Sequence, residues 1–313
     1  MRAWRIRVTV ALVSLALIAL ELAFMRVLAM RFWQHLAHMV VSVALLGFGA
    51  SGTLLTLLRK RVLAHPVAWM AGLAAAFSVS IPICRALANR VPLEVGFLAW
   101  DAGQMLNVAL LELALLGPFF LAAALIGIAL MDRSERVSGN YAANLVGSGI
   151  GAVAAVAAMY VLDAHGLLVA SSVTALLATT VILPWRRARG SLILGATAVT
   201  TGLLWALTPN VTPISPYRTL AQLRLMGDIR ALHRVEGPLG RIDVVAGEMI
   251  HHAPGLSLGF QGNVPPHVLM VFDGDAASAV YECESPADWG FMDYTTSASA
   301  YRNAEPSSVL IIG

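Results

Sequence analysis

The side chains best suited to chemistry fall in two groups: carboxylates and an aromatic ring in the polar C-terminal third, and isolated charges inside long apolar runs. In the first group, Asp273, Asp275, Asp293 and Tyr294 offer anions and a π-face, the combination that holds a cationic, amine-bearing substrate. Asp273-Gly274-Asp275 has a second reading of equal weight, because Asp and Gly supply turn geometry without any ligand. In the second group, Glu21 and Arg26 stand five residues apart in the first apolar run, and Glu112 stands inside the fourth. A charge near the bilayer centre costs roughly 3 kcal/mol unless it is paired or solvated. These residues therefore mark either a polar pathway with an amine site or an interhelical ion pair that fixes packing, and the ion pair is the simpler account. His251-His252 lacks a third ligand at useful spacing, and no Cys/His cluster has metal-ligand spacing, so no metal is expected. Cys84 and Cys283 lie in different kinds of sequence, which argues against a shared disulfide.

The elements that position these residues belong to two solvents. Of the 313 residues, 58% are hydrophobic and 12% charged, against about 25% charged in a soluble domain. The deficit is concentrated before Pro209, where runs long enough for a bilayer core, about 20 residues each, occur near 8–30, 36–58, 67–84, 106–131, 142–162, 165–184 and 190–208. The third run carries Pro82, and the last contains several Thr and Gly residues. Gly47, Gly49 and Gly52 in the second run, and Gly147, Gly149 and Gly151 in the fifth, form small-residue faces that let helices approach closely in lipid. No strand precedes the second series, so it is not a dinucleotide-binding loop. The first run has no clean cleavage site and is interrupted by Glu21, which makes it a retained helix.

The net charge of +3 comes mostly from Arg clusters beside apolar runs and gives no support to nucleic-acid binding. If Arg2, Arg5 and Arg7, Arg59-Lys60-Arg61, and Arg186-Arg187-Arg189 all face the cytoplasm, seven crossings place the polar domain on the opposite side. After Pro209 the pattern predicts a short helix over Leu220–Leu232 and a strand over Arg241–Ala246. It also predicts paired strands at Leu256–Phe260 and His267–Asp273 about a Gly262-Asn263 turn, and a helix over Trp289–Tyr301. The run Val309-Leu310-Ile311-Ile312-Gly313 reads as an apolar strand entering a glycine turn, as the first strand of a doubly wound sheet does.

Several stretches together resemble a known family. Glu21-Leu22-Ala23-Phe24-Met25-Arg26, Phe32-Trp33, the run Val43–Gly52 and the run Tyr141–Ala152 are similar to helices of membrane-embedded spermidine synthase-like proteins, with Asn144 where that family has Asp. In the polar part, Ser215-Pro216-Tyr217, Gly240-Arg241-Ile242-Asp243-Val244, Pro254-Gly255-Leu256-Ser257-Leu258, Asp273-Gly274-Asp275, Asp293-Tyr294 and Tyr301-Arg302 follow in the family's order. They precede Val309–Gly313, which resembles the strand opening the S-adenosylmethionine-type methyltransferase fold.

The resemblance implies a mainly α fold: a polytopic bundle of about seven transmembrane helices (1–208), a small α+β lead-in domain with a β-hairpin (209–305), and the first strand of an incomplete Rossmann-like domain (306–313). It implies a multi-pass bacterial inner-membrane protein whose partners are the lipid bilayer and a polyamine or other small amine. The cofactor it implies is S-adenosylmethionine or its decarboxylated form, with Gly313 at the cofactor turn. The implied chemistry is aminopropyl or methyl transfer, in which a neutral amine attacks a carbon on the sulfonium, the thioether leaves, and the carboxylate of an acidic residue accepts the amine's proton. Two departures stand out. Asp273-Gly274 continues as Asp275-Ala276-Ala277 where soluble synthases place a Gln, and the cofactor loop and catalytic acid are expected downstream of Gly313. The chain is therefore expected to be an inactive fragment that binds no cofactor alone. The alternative is a transport protein for a small polar or amine solute, with a regulatory polar domain.

Overall fold

The computed structural model describes residues 3–32, 34–131, 136–183, 188–210, 214–304 and 308. The chain divides into two compact units, Met1–Ser215 with Glu236–Pro238, and Pro216–Val235 with Leu239–Gly313.

The first unit is helical: α1 Ala3–Arg31, the short α2 Gln34–Ala37, α3 Met39–Ala64, α4 Pro66–Arg90, α5 Ala102–Met131, α6 Val137–Ala158, α7 Ala164–Ile182 and α8 Ala188–Leu207. Seven of these are long and apolar enough to cross a membrane. Among them α1 and α5 are the most enclosed, while α6 and α8 are the least. Leu45, Val153, Leu192 and Val199 are exposed on the outer surfaces. An apolar exterior of this kind is stable in lipid and not in water.

Glycine brings α6 onto α1. A Cβ on Gly147 would stand 2.3 Å from the Ala11 carbonyl oxygen, and one on Gly151 would stand 2.8 Å from the Leu15 Cα. Gly149, which alternates with them, has nothing within 4 Å, so the face that packs is the i, i+4 pair alone. Between these helices the Ser14 hydroxyl donates to Asn144 Oδ1 at 2.7 Å. On α3, a Cβ on Gly47 would stand 3.0 Å from the Phe119 Cβ and the Phe120 nitrogen, whereas Gly49 and Gly52 face open space.

Pro82 lies inside α4 rather than near its end, and the helix continues to Arg90. Proline has no N–H to give the carbonyl four residues back, which here belongs to Ser78. That carbonyl accepts the Ser172 hydroxyl from α7 at 3.1 Å, and the Ser78 hydroxyl in turn donates to the Ser172 carbonyl at 3.0 Å. Both serines are fully buried. The far end of α4 is closed by Arg31 of α1, which donates to the Ala88 carbonyl and, at 2.7 Å, to the Val91 carbonyl.

The second unit opens with α9 Thr219–Arg224 and carries a four-stranded antiparallel meander, β1 Arg230–Glu236, β2 Arg241–Ala246, β3 His267–Phe272 and β4 Ala276–Tyr281, in that spatial order. A 3₁₀ helix, Pro286–Tyr294, and α10 Ala298–Ala304 follow. The predicted strand over Arg241–Ala246 is β2. The predicted helix over Leu220–Leu232 stops at Arg224, because Gly227 turns the chain at φ +84° and a strand begins at Arg230. Leu256–Phe260 does not pair with His267–Asp273; β3 pairs with β2 and β4, and Leu256 makes only an isolated bridge to Thr295. The helix expected over Trp289–Tyr301 is split at Thr295 between the 3₁₀ segment and α10. The expected Rossmann-like strand and Gly313 lie outside the described residues.

Candidate functional site

Strand β2 turns Arg241, Asp243 and Val245 to the buried side, while Ile242 and Val244 are only half covered. A pair of charges thus occupies what alternation would fill with apolar residues. Asp243 accepts from Arg241 Nη2 at 2.7 Å and from Arg234 Nε of β1 at 2.9 Å. Burial alone would push this carboxyl up, but the hydrogen bonds and charges of Arg241 and Arg234 outweigh it and hold the group below the usual carboxylate range.

Asp273 follows β3 and belongs to the same buried layer. Its carboxylate accepts the Arg241 N–H at 2.9 Å, its own N–H donates to the Arg241 carbonyl at 2.7 Å, and its carbonyl accepts Arg218 Nη1 at 2.8 Å. Burial pulls the Arg218 guanidinium below its ordinary value, with the negative charges of Asp275 and Asp273 opposing. Asp273 and Gly274 take φ of +46° and +79°, and the Asp275 N–H closes a turn onto the Phe272 carbonyl at 3.0 Å. Positive φ at both central positions is the hairpin geometry that Asp-Gly favours. Asp275 accepts from the Thr219 hydroxyl at 3.3 Å. Asp293 and Tyr294 have different surroundings: Asp293 is 3.6 Å from Arg302, both exposed, and the Tyr294 ring packs on Phe260 with centroids 5.1 Å apart. The four carboxylate and aromatic candidates therefore occupy two settings, a clamped turn and an exposed helix end.

A further acidic group lies between these settings in sequence. A cavity of about 570 Å³ is lined by Glu282, Glu284 and Asp288, by Phe260 and Phe291, and by the segment Asn263–Pro266. Glu282 and Glu284 are exposed, two apart on the chain leaving β4, and both line this cavity. Asp288 caps the 3₁₀ helix by accepting the Ser285 N–H at 2.8 Å and the Glu284 N–H at 3.0 Å. Hydrogen bonds from the Ser285 main chain and side chain hold its carboxyl low, against partial desolvation. Desolvation and the Asp288 charge raise the Cys283 thiol above its ordinary value, so it is not activated as a nucleophile. Three carboxylates with apolar and aromatic walls can receive protonated amines and pack the methylenes between them. A larger cavity, about 660 Å³, shares the Asn263–Pro266 wall but carries opposed charges, Arg230 and Glu248, with His251 and His267. Its mixed lining selects no one charge type, which makes the smaller, acidic cavity the better site.

Sequence reasoning misses Glu282, Glu284 and Asp288. Two signals mark them: Glu-x-Glu following an alternating segment, and Ser285-Pro286-Ala287-Asp288 as a capping box. In the first unit, Glu21 and Arg26 on α1 and Glu112 on α5 are half-buried. Arg85 of α4 is fully buried and escapes a reading of the sequence, since it sits beside Cys84 at what looks like the end of a span. Both cysteines are free. No group of three His, Cys, Asp or Glu among the described residues could hold a metal ion. Comparison with protein families, curated proteins and solved structures finds no match.

Proposed function

We propose that this chain is a membrane-anchored spermidine synthase-like protein, and that its polar unit presents a small polyamine through the Glu282, Glu284 and Asp288 cavity. The observation that carries the reading is that cavity: three carboxylates, two of them exposed and the third capping a helix, against the Phe260 and Phe291 rings. Added support comes from the resemblance of the ordered segments from Glu21 to Arg302. The chemistry proposed for the whole protein is transfer of an aminopropyl or methyl group to an amine from S-adenosylmethionine or its decarboxylated form. Among the described residues the sheet is antiparallel and no glycine turn leads from a strand into a helix, so these residues do not fit an adenosyl cofactor. Their role is to hold the cationic acceptor.

The test is calorimetric titration of the protein in lipid nanodiscs with spermidine at fixed ionic strength, using Mg²⁺ as the control for nonspecific cation binding. Saturable spermidine binding is expected, weakened about tenfold in Glu282→Gln/Glu284→Gln, since two exposed ion pairs at about 0.7 kcal/mol each give about 1.4 kcal/mol. Binding that Mg²⁺ matches, or that the double variant leaves unchanged, refutes the assignment.

A further inference from the structure

His267, the first residue of β3, is bonded to main chain at both ring nitrogens: Nδ1 lies 2.9 Å from the Pro265 carbonyl oxygen, and Nε2 lies 3.1 Å from the His252 nitrogen. A carbonyl oxygen only accepts and a backbone N–H only donates. The geometry therefore defines a neutral imidazole with its proton on Nδ1. The same ring ties two segments together. One is the segment through His252, further held by the Tyr281 hydroxyl donating to the His252 carbonyl at 2.7 Å. The other is the Asn263–Pro266 wall, which the acidic cavity shares and which is itself anchored where the Glu282 N–H meets the Pro266 carbonyl at 2.8 Å.

We infer that His267 is a pH-sensitive clip beside the amine cavity: protonation sets an imidazolium N–H against the His252 N–H and releases that segment, while the Nδ1–H bond to the Pro265 carbonyl and the Glu282 N–H bond to the Pro266 carbonyl keep the shared wall in place. Two donors facing each other at this distance cannot bond, so the tie is lost and not merely weakened. The charge gained is of the same sign as the ligand and stands beside the shared wall, so it lowers amine affinity in acid. The groups surrounding the ring carry both signs. Tyr281 of β4 packs against it at 5.3 Å between centroids. Glu248, His251 and Arg230 line the neighbouring cavity with it. Glu282 follows β4 on the other side of the wall. The effect on ligand rests on the amine reading of the cavity, whereas the clip itself rests only on the two hydrogen bonds.

The experiment is amide hydrogen exchange on the full chain in nanodiscs at pH 8 and pH 5, with intrinsic rates corrected for pH, together with imidazole ¹⁵N shifts. In the wild type, the His252 amide is expected to lose roughly tenfold in protection at the acid pH, the equivalent of one hydrogen bond, while the ¹⁵N shifts pass from the Nδ1–H tautomer to the imidazolium. His267→Gln keeps one donor and one acceptor but cannot protonate, so its His252 protection is expected to be the same at both pH values. Unchanged wild-type protection on protonation, or an equal loss in the Gln variant, overturns the clip. Should the variant fail to fold, the wild-type exchange and tautomer data decide alone. Spermidine titration at the two pH values separates the claims. If spermidine does not bind at either pH while His252 exchange follows His267 protonation, the amine reading fails and the clip stands.

Discussion

The reciprocal Ser78–Ser172 contact provides a quantitative test of how this bundle accommodates a proline. Pro82 leaves the Ser78 carbonyl without its helical donor, and the Ser172 hydroxyl fills the vacancy at 3.1 Å. With both residues fully buried, no water can substitute. In Ser172→Ala the carbonyl of Ser172 still accepts the Ser78 hydroxyl, so the substitution removes one bond of the pair. Orphaning a buried carbonyl costs about 1–3 kcal/mol, and interhelical bonds in membranes measure about 0.6 kcal/mol on average and at most about 1.7 kcal/mol. The expected cost is therefore about 1–1.5 kcal/mol. In a Pro82→Ala background the new N–H can reach the Ser78 carbonyl, and the same Ser172→Ala change should cost only about 0.3 kcal/mol. The coupling is then about 1 kcal/mol, well outside the additivity expected of unlinked sites. Equilibrium unfolding by steric trapping in bicelles gives all four free energies. Equal costs of Ser172→Ala in the two backgrounds would refute the argument that this serine replaces the bond lost to Pro82.

Three further outcomes are expected. Gly147→Ala places a methyl 2.3 Å from a backbone oxygen and should destabilise the bundle by about 2 kcal/mol or more, whereas Gly149→Ala, in open space, should stay within about 0.5 kcal/mol in the same assay. Asp243 has its folded pKa depressed by its arginines, so its stabilisation is present above the unfolded value of about 3.9 and is lost as pH falls through the folded value; thermal unfolding of the polar unit should show this acid limb, flattened in Asp243→Asn at a neutral-pH cost of about 2–3 kcal/mol. A phosphatase reporter joined after Gly313 should be active only outside the cytoplasm if the three Arg clusters face inward and all seven helices cross; activity of a cytoplasm-only reporter would reverse that topology.

The spanning helices are legible in the sequence because run length is a direct consequence of bilayer thickness. Their ends are less so. The third apolar run ends at 84 on the sequence pattern, where the charged Arg85 follows, yet α4 passes through Pro82 and runs on to Arg90, with a hydroxyl from another helix meeting the freed carbonyl. Nothing local to α4 encodes Ser172. The glycine series in α6 is visible as a small face, but only the register against α1 separates Gly147 and Gly151 from Gly149. In the polar unit β2 is legible from its pattern, while β4 is not: Ala276-Ala277-Ser278-Ala279 has little β-propensity and is a strand because the Asp273-Gly274 turn folds it onto β3. The inward charges of β2 are hidden for a related reason. Arg241 and Asp243 are buried as a pair, and their partners Arg234 and Asp273 come from other strands and turns.

Within the polar unit, several of the short polar segments meet one another in space. Arg218, adjoining Ser215-Pro216-Tyr217, donates to the Asp273 carbonyl, and the Arg241 main chain donates to the Asp273 carboxylate and accepts the Asp273 N–H. Pro254–Leu258 lies along Asp293-Tyr294: the Ser257 N–H donates to the Tyr294 carbonyl at 2.8 Å and the Thr296 N–H to the Gly255 carbonyl at 2.9 Å. Gly255 sits at φ +72°, where a Cβ would strike the Thr296 hydroxyl at 2.3 Å. These positions fix turns and crossings, so changes there act on folding. Glu282, Glu284 and Asp288 sit outside that series, where two of the three carboxylates are exposed and free of scaffold bonds among the described residues. The quoted segments of this unit thus build its frame, and the proposed amine contacts lie on the surface that the frame leaves open. A scaffold substitution such as Gly255→Ala should lower the unfolding midpoint of the polar unit, while Glu284→Gln should leave that midpoint in place and change only the affinity for the cation.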